Sequence, residues 1–257
     1  MIVLKIAVSG KGGVGKTVIV SNLAKILVQK GYQVYAVDAS PDSNLGFALG
    51  VSKEQMQQIK PMVDLQEFVV DKADNGTLFL INPDIQSCAD QYSMNINGIH
   101  FLKMYGVQDA DSACNCQTSS FLRTLMNALL LNENDIVLFD MGAGIEQLAR
   151  RTVSGVDWML IVSEASKPSV ETAKNIRKMA EQLATPNIKF IGNKIKNDRE
   201  EFFIRANFGQ NDLLGVLHYS EDVSNMGMGL KKIDEQVANS DMEMMLEMML
   251  VKILLGL

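Results

Sequence analysis

The sequence predicts an α/β protein with a mostly parallel sheet and helices on both of its faces. Apolar, strand-like runs alternate with stretches of helical periodicity along the 257 residues, which is the pattern of βαβ units. Glycine-rich or polar residues follow the predicted strands at their C-terminal ends, where parallel sheets place their ligands. No linker or change of composition divides the chain, so we expect residues 1–257 to form a single domain.

The individual elements follow from the same patterns. The first strand begins almost at Met1, and a helix follows it and ends at Gly31. Residues 51–76 are expected to be largely helical, and a second long helix is predicted over Ser169–Leu183, with Pro168 near its start. The other predicted strands are Gln33–Asp38, Leu78–Ile81, Asp135–Asp140, Val156–Val162, Ile188–Ile191 and Leu213–Leu217.

Composition and charge limit the functional class. Hydrophobic residues make up 47% of the chain and charged residues 21%, which is ordinary for a globular protein. A formal net charge of −6 argues against a nucleic-acid partner, because surfaces that bind nucleic acids are basic. The first residues show no signal-peptide pattern, which predicts a cytoplasmic protein. Three cysteines are too few for a disulfide framework.

A glycine-rich loop of sequence GKGGVGKT follows the first predicted strand. Its glycines allow backbone N–H groups to approach an anion closely at the start of a helix. Lys16 supplies a positive charge near the β- and γ-phosphates of a nucleotide, and Thr17 supplies a hydroxyl ligand for Mg²⁺. A plain glycine-rich turn would leave both side chains unexplained. The predicted phosphate-binding residues are Gly10, Gly12, Gly13, Val14, Gly15, Lys16 and Thr17.

A second lysine, Lys11, lies inside the same loop. A cation at this position would interact with bound phosphate or with whatever covers it, unless it is simply a solvated loop residue. The loop resembles that of the ParA/MinD/NifH group of dimeric P-loop ATPases, in which the extra lysine reaches the partner's phosphates across a nucleotide-sandwich dimer. The resemblance implies ATP as the nucleotide, a homodimer, and catalytic roles for Lys11 and Lys16.

The predicted strand Gln33–Asp38 ends in a polar segment. In the resembled group this first switch has the pattern Asp-x-Asp-Pro, and its second aspartate orients the attacking water. Here Ser40 occupies that position. Asp38 and Asp42 are therefore the candidates for the task, and slow hydrolysis is expected. Asp42 could instead be a turn residue that follows a proline.

The motif Cys114-Asn115-Cys116 is the second stretch whose side chains suggest a functional site. Two cysteines at i and i+2 in an extended or turning segment can direct both sulfurs to one side. Two thiolates leave a metal site incomplete, but a twin subunit would bring the number to four, a set that suits Zn²⁺ or Ni²⁺. The alternatives are ordinary thiols or a strained redox pair. Cys88 is expected to be a small buried hydrophobic residue.

Taken together, these features resemble the CooC-type nickel-insertion ATPases, which mature carbon monoxide dehydrogenase and acetyl-CoA synthase. The resemblance implies a MinD/NifH-like fold, nickel or zinc bound by Cys114 and Cys116 across a homodimer, and one of those two enzymes as the client. NifH-type reductases use widely separated cysteines, and MinD-like ATPases need no such motif. The matching stretches are Gly10–Thr17, Asp38–Leu45, Cys114–Cys116 and Asp140–Glu146. Two other functions stay open: a MinD/ParA-like recruitment switch and an iron–sulfur ATPase.

The remaining candidate residues complete the nucleotide site. Asp140 ends a buried strand and is predicted to support Mg²⁺. The resemblance implies that Gly144 contacts the γ-phosphate and that Asn193 recognises adenine. Asn193 could instead cap the turn after its strand. His218 could stack on adenine or simply be exposed.

The last residues, Met242–Leu257, are nearly all apolar. The segment is too short and too charged to span a bilayer. Its polar residues are mostly acidic and would gain nothing from anionic lipids, so no membrane partner is expected. We expect this segment to pack on the core, with partner docking through its methionines as the second choice.

Overall fold

The computed structural model describes residues 4–40, 44–65, 92–105, 134–142, 155–227 and 240–256. The strands of these ranges form one sheet. They are β1 (Leu4–Gly10), β2 (Gln33–Ala39), β3 (Met94–Ile96), β4 (Ile99–Lys103), β5 (Asp135–Met141), β6 (Trp158–Ser163), β7 (Asn187–Ile195) and β8 (Leu213–His218).

The sheet has the strand order β3-β4-β2-β5-β1-β6-β7-β8. Every neighbouring pair is parallel except β3 and β4, which form an antiparallel hairpin at one edge. The hairpin turns at Asn97 and Gly98, whose φ angles of 51° and 87° suit a tight two-residue turn. The mostly parallel sheet is the predicted one. The hairpin was not predicted, and the expected strand Leu78–Ile81 lies outside the described residues.

Helices cover both faces of the sheet, as predicted. They are α1 (Lys16–Gln29), α2 (Leu45–Leu49), α3 (Lys53–Gln58), α4 (Lys167–Gln182), α5 (Asp198–Phe208), α6 (Glu221–Gly227) and α7 (Ser240–Leu255), with a 3₁₀ turn at Met62–Leu65. One hydrophobic cluster contains Leu23 of α1 and Leu246 of α7. A second cluster, on the other face, contains Ile176 of α4 and Ile204 of α5. The apolar β-strands are therefore buried on both sides.

Helix α7 packs on the core, as the sequence predicts. Leu246 and Leu250 are fully buried, and Met249 lies so close to β8 that a Cβ atom at Gly215 would collide with its side chain. The opposite face of the helix exposes Met244, Met248 and Val251. Within the described ranges, no helix combines the length and the apolar character needed to cross a bilayer.

Candidate functional site

The loop Gly10–Thr17 connects β1 to α1 at the C-terminal edge of the sheet. A cavity of about 540 Å³ opens at this edge, a volume typical of small-molecule sites. Its lining residues include Gly12, Gly13, Gly15, Lys16, Thr17, Ser40, Asn44, Asp140, Gly142, Asn193, Lys194, His218, Tyr219 and Met242. The structure thus brings the phosphate loop together with the strand ends at Ser40 and Asp140. Asn193 and His218, the two candidates for adenine recognition, lie at the same cavity.

The loop backbone depends on glycine. Gly10, Gly13 and Gly15 have φ angles of 149°, 78° and 97°, a region that side chains rarely allow. A Cβ atom on Gly10 would also collide with the carbonyl oxygen of Val162 on β6. Gly15 is the residue from which α1 starts, so the free N–H groups of the first helical turn lie at the loop. This arrangement suits an anion such as a nucleotide phosphate.

The two loop lysines are linked to each other. The ammonium of Lys16 donates a hydrogen bond to the main-chain oxygen of Lys11 over 3.1 Å. Lys16 is buried, whereas Lys11 is partly exposed. The bond keeps the Lys16 charge within the loop, next to the helix N-terminus where a phosphate would lie.

Thr17 and Asp140 form the part of the site that suits a divalent cation. The Thr17 hydroxyl donates to Oδ2 of Asp140 over 2.6 Å. The other carboxylate oxygen, Oδ1, is buried and has no hydrogen-bond partner among the described residues. The pKa of Asp140 is raised to about 7, chiefly because the carboxyl group is buried and also because Asp38 lies nearby. The hydrogen bond from Thr17 and the charge of Lys16 act in the opposite direction and lower this pKa. A hydroxyl beside a buried carboxylate with an unused oxygen fits Mg²⁺ with its water ligands.

Asp38 anchors the segment after β2. Its side chain has no exposed surface and accepts hydrogen bonds from the amide of Ser40 (3.0 Å), the hydroxyl of Ser40 (2.9 Å) and the amide of Leu45 (2.9 Å). Burial raises the pKa of Asp38, while these bonds and the charge of Lys103 lower it. Whether Asp38 also orients water stays a prediction, and Asp42 lies outside the described residues.

A bulge in β7 brings two neighbouring side chains to the loop. The β7–β8 register shifts between Gly192 and Ile195, and Lys194 has a φ angle of 60°. The Asn193 amide donates to the main-chain oxygen of Val14 over 2.8 Å, and the Lys194 ammonium donates to that of Gly13 over 2.6 Å. Asn193 lines the cavity and its amide nitrogen supports the loop, while its predicted recognition of adenine stays a prediction. The role of Lys194 was missed, because strict strand alternation would turn one of the two side chains away.

A family model, described as the CobQ/CobB/MinD/ParA nucleotide binding domain, matches residues 5–233. The chain belongs to this family. It is 36% identical over 224 residues to the carbon monoxide dehydrogenase accessory protein CooC of Rhodospirillum rubrum, a match that covers 86% of this chain and 85% of CooC. An ATP-binding protein of Methanocaldococcus jannaschii is 37% identical over 224 residues, which cover 86% of this chain and 87% of that one. The predicted identity as a CooC-type ATPase of the MinD/ParA group is thereby confirmed.

Solved structures show the same fold. A ParA family ATPase from Chlorobium tepidum superposes with a TM-score of 0.71 at 19% identity, covering 96% of this chain and 97% of that one. The septum site-determining protein MinD from Pyrococcus horikoshii, solved with Mg-ADP, gives a TM-score of 0.70 at 18% identity, with coverages of 99% and 98%. At these identities the likeness concerns the fold alone.

Four other residues were predicted to belong to the sites of this CooC-type ATPase. His218 lines the cavity and is well exposed, with its Nε2 atom 3.6 Å from a carboxylate oxygen of Glu201. Gly144, Cys114 and Cys116 lie outside the described residues. Within the described ranges, no group of three or more histidine, cysteine or acidic side chains could hold a metal ion. The roles of all these residues stay predictions.

Proposed function

We propose that this CooC-type ATPase is a nickel metallochaperone. Binding of ATP with Mg²⁺ favours a closed homodimer, and the dimer holds nickel between the Cys114–Cys116 motifs of its two subunits for insertion into carbon monoxide dehydrogenase or acetyl-CoA synthase. The observation that carries the proposal is the 36% identity to a carbon monoxide dehydrogenase accessory protein in a chain that also contains the CxC motif.

The nucleotide site supports the ATPase half of this proposal. The helix start and Lys16 stabilise the phosphate charge, and Lys11 extends to the nucleotide of the other subunit. Thr17 and Asp140 would hold Mg²⁺, which neutralises charge on the β- and γ-phosphates when it is bound. The reaction transfers the γ-phosphoryl group to water and yields ADP and phosphate. Ser40 at the usual position of the water-orienting aspartate supports a slow turnover.

The cysteines support the metal half. Thiolates are soft ligands, and one CxC pair supplies only half of a four-coordinate set. A two-fold axis between identical subunits would place two pairs together and complete the set. Nickel is the cargo in this scheme, and Zn²⁺ is the competing ion for the same ligands.

The switch segment after β2 offers a link between the two halves. Ser40 and Asn44 line the nucleotide cavity, where a bound nucleotide would change their surroundings. A ligand can shift a conformational equilibrium only through contacts that differ between the two states. In our proposal the ATP-bound switch favours the closed dimer, and hydrolysis releases it and frees the metal.

A nickel titration of the reduced, anaerobic protein tests this function. We expect the wild type to bind about one nickel per two chains and the Cys114→Ser/Cys116→Ser variant to lose tight binding, because its four thiolates become hydroxyls. Cys88→Ser is the matched control and should bind nickel like the wild type. Without nickel, all three proteins should bind ATP equally, since the phosphate loop is unchanged.

Unchanged nickel affinity in the double variant would end the proposal. Visible absorbance in anaerobically purified protein that depends on Cys114 and Cys116 would favour the iron–sulfur reading instead. ATP-dependent sedimentation with lipid vesicles, without any cysteine-dependent nickel binding, would favour the recruitment switch.

A further inference from the structure

The first turn of α7 reaches the nucleotide cavity. Met242 is only 9% exposed, and it lines the cavity together with residues of the phosphate loop. The function proposed above makes no use of this C-terminal helix. The place of Met242 at the site therefore needs an explanation of its own.

Two valines extend the apolar surface around Met242. Val18 of α1 and Val223 of α6 line the same cavity, and both pack against the hydrophobic cluster that contains Met242. Val18 directly follows Thr17, so this apolar surface continues from the phosphate site. Val18, Val223 and Met242 are called the apolar wall below.

The strand order separates most of the apolar wall from the groups that suit phosphate and Mg²⁺. Lys16 follows β1 and Asp140 lies on β5, in the middle of the sheet, whereas the helix that carries Val223 follows β8 at the edge. Three strand spacings of about 4.8 Å place β8 about 14 Å from β1. The cavity thus suits a ligand with an anionic group at one end and an apolar or aromatic group at the other.

The helix that carries Met242 is attached to both elements that border this end of the cavity. The Lys252 ammonium donates to the main-chain oxygen of Leu214 on β8 over 3.2 Å. Lys30, directly after α1, forms an ion pair with Glu247 over 2.8 Å. These contacts hold α7 against β8 and α1 and so fix the position of Met242 at the cavity.

We propose that Met242 is a nucleotide-binding residue whose thioether packs against the base. A base is a planar aromatic ring, and methionine sulfur makes favourable contacts with such rings. Val18 and Val223 complete the apolar surface on which the base lies. The inference rests on the nucleotide binding of the proposed function and is independent of the metal that the protein carries.

Two ligands separate the base contact from the phosphate site in a calorimetric titration. Mg-ADP carries a base and phosphates, whereas Mg-pyrophosphate carries phosphates alone. Met242→Ala should bind Mg-ADP about fivefold more weakly than the wild type, because the contact between sulfur and ring is lost, and should bind Mg-pyrophosphate equally well. Met242→Leu keeps an apolar side chain of similar size and should lose less affinity. Met244→Ala is the control, since Met244 is 53% exposed on the same helix, and it should bind both ligands normally.

NMR of the protein labelled with ¹³C-methyl methionine reads the contact directly. The Met242 signal is the one that disappears in Met242→Leu, and the Met244 signal disappears in Met244→Ala. Mg-ADP should move the Met242 signal of the wild type, because the ring current of the base changes the field at the methyl group. Mg-pyrophosphate should leave that signal nearly in place, and neither ligand should move the Met244 signal. This measurement decides the question even if Met242→Ala does not fold.

Failure of this inference is distinguishable from failure of the nucleotide site. A wild type that binds both ligands, with a Met242 signal that responds equally to them, would overturn the base contact alone. Equal losses of affinity for Mg-ADP and Mg-pyrophosphate in Met242→Ala would also overturn it, because Met242 would then support the phosphate site. A wild type that binds neither ligand would overturn the nucleotide site and the base contact with it.

Discussion

At the scale of single residues, the site keeps an acidic group in a state that costs stability. Asp140 is 1% exposed, and one of its carboxylate oxygens is buried without a hydrogen-bond partner among the described residues. A cation bound beside Thr17 would compensate for this charge, and the protein without a cation has to bear its cost. Functional sites often retain such unfavourable groups.

The pH dependence of stability tests this assignment. The pKa of Asp140 is about 7 in the folded protein against an ordinary value of 3.8, so the folded form binds more protons between these values. The free energy of unfolding should therefore fall as pH rises from about 4 to about 7, by at most about 4 kcal/mol from this group. In urea unfolding with EDTA and no nucleotide, Asp140→Asn should flatten this slope and be more stable than the wild type at pH 8.

Asp140→Asn should also lose affinity for Mg-nucleotide, because the negative charge that favours Mg²⁺ beside Thr17 is gone. Parallel stability curves for the wild type and Asp140→Asn between pH 4 and pH 8 would show that Asp140 titrates normally. That result would remove the main structural argument for a cation site at Thr17 and Asp140.

At the scale of elements, the β7 bulge is what supports the phosphate loop from outside. Asn193 and Lys194 bond to two consecutive carbonyl groups of the loop, at Val14 and Gly13. Those two bonds tie the carbonyl groups of Gly13 and Val14 to β7 and so restrict the conformations open to the loop. The loop is therefore not a free turn: its geometry depends on a strand that is distant in sequence.

Replacing the second of these side chains gives a direct test at this scale. Lys194→Met should weaken ATP binding about tenfold, because a hydrogen bond from a charged group to the loop is lost, and it should leave the melting temperature nearly unchanged. Lys189→Met removes an ammonium from the same strand, where it bonds to Asn211 at a distance from the loop, and should bind ATP normally. Equal ATP affinities in the two variants would exclude the supporting role.

Elements with local signals could be predicted, and those set by distant contacts could not. The phosphate loop was predicted because phosphate chemistry dictates almost every residue of Gly10–Thr17. The buried central strands, such as β5, were predicted from continuous apolar runs. Helix α2 was not predicted, because this five-residue helix depends on the hydrogen bond that the Leu45 amide donates to Asp38. The β3–β4 hairpin was not predicted either, because the pairing of strands at a sheet edge depends on their neighbours more than on the β-propensity of their residues.

At the scale of the whole molecule, the proposed function requires two chains. Within the described residues of its own subunit, the bond assigned to Lys11 is the one that its main-chain oxygen accepts from Lys16, and a CxC motif supplies only two thiolates. A homodimer closed over ATP would give Lys11 a phosphate partner and the cysteines a complete ligand set. Dimer, nucleotide and metal are thus expected to depend on one another.

The most direct test is the mass of the reduced, anaerobic protein by light scattering, with and without nickel and ATP. We expect a dimer with one nickel when both ligands are present, loss of that nickel in Cys114→Ser/Cys116→Ser, and a weakened ATP-dependent dimer in Lys11→Ala. Cys88→Ser should match the wild type. A wild-type protein that stays monomeric with nickel and ATP, or a Cys114→Ser/Cys116→Ser variant that binds nickel as well as the wild type, would contradict the proposed function.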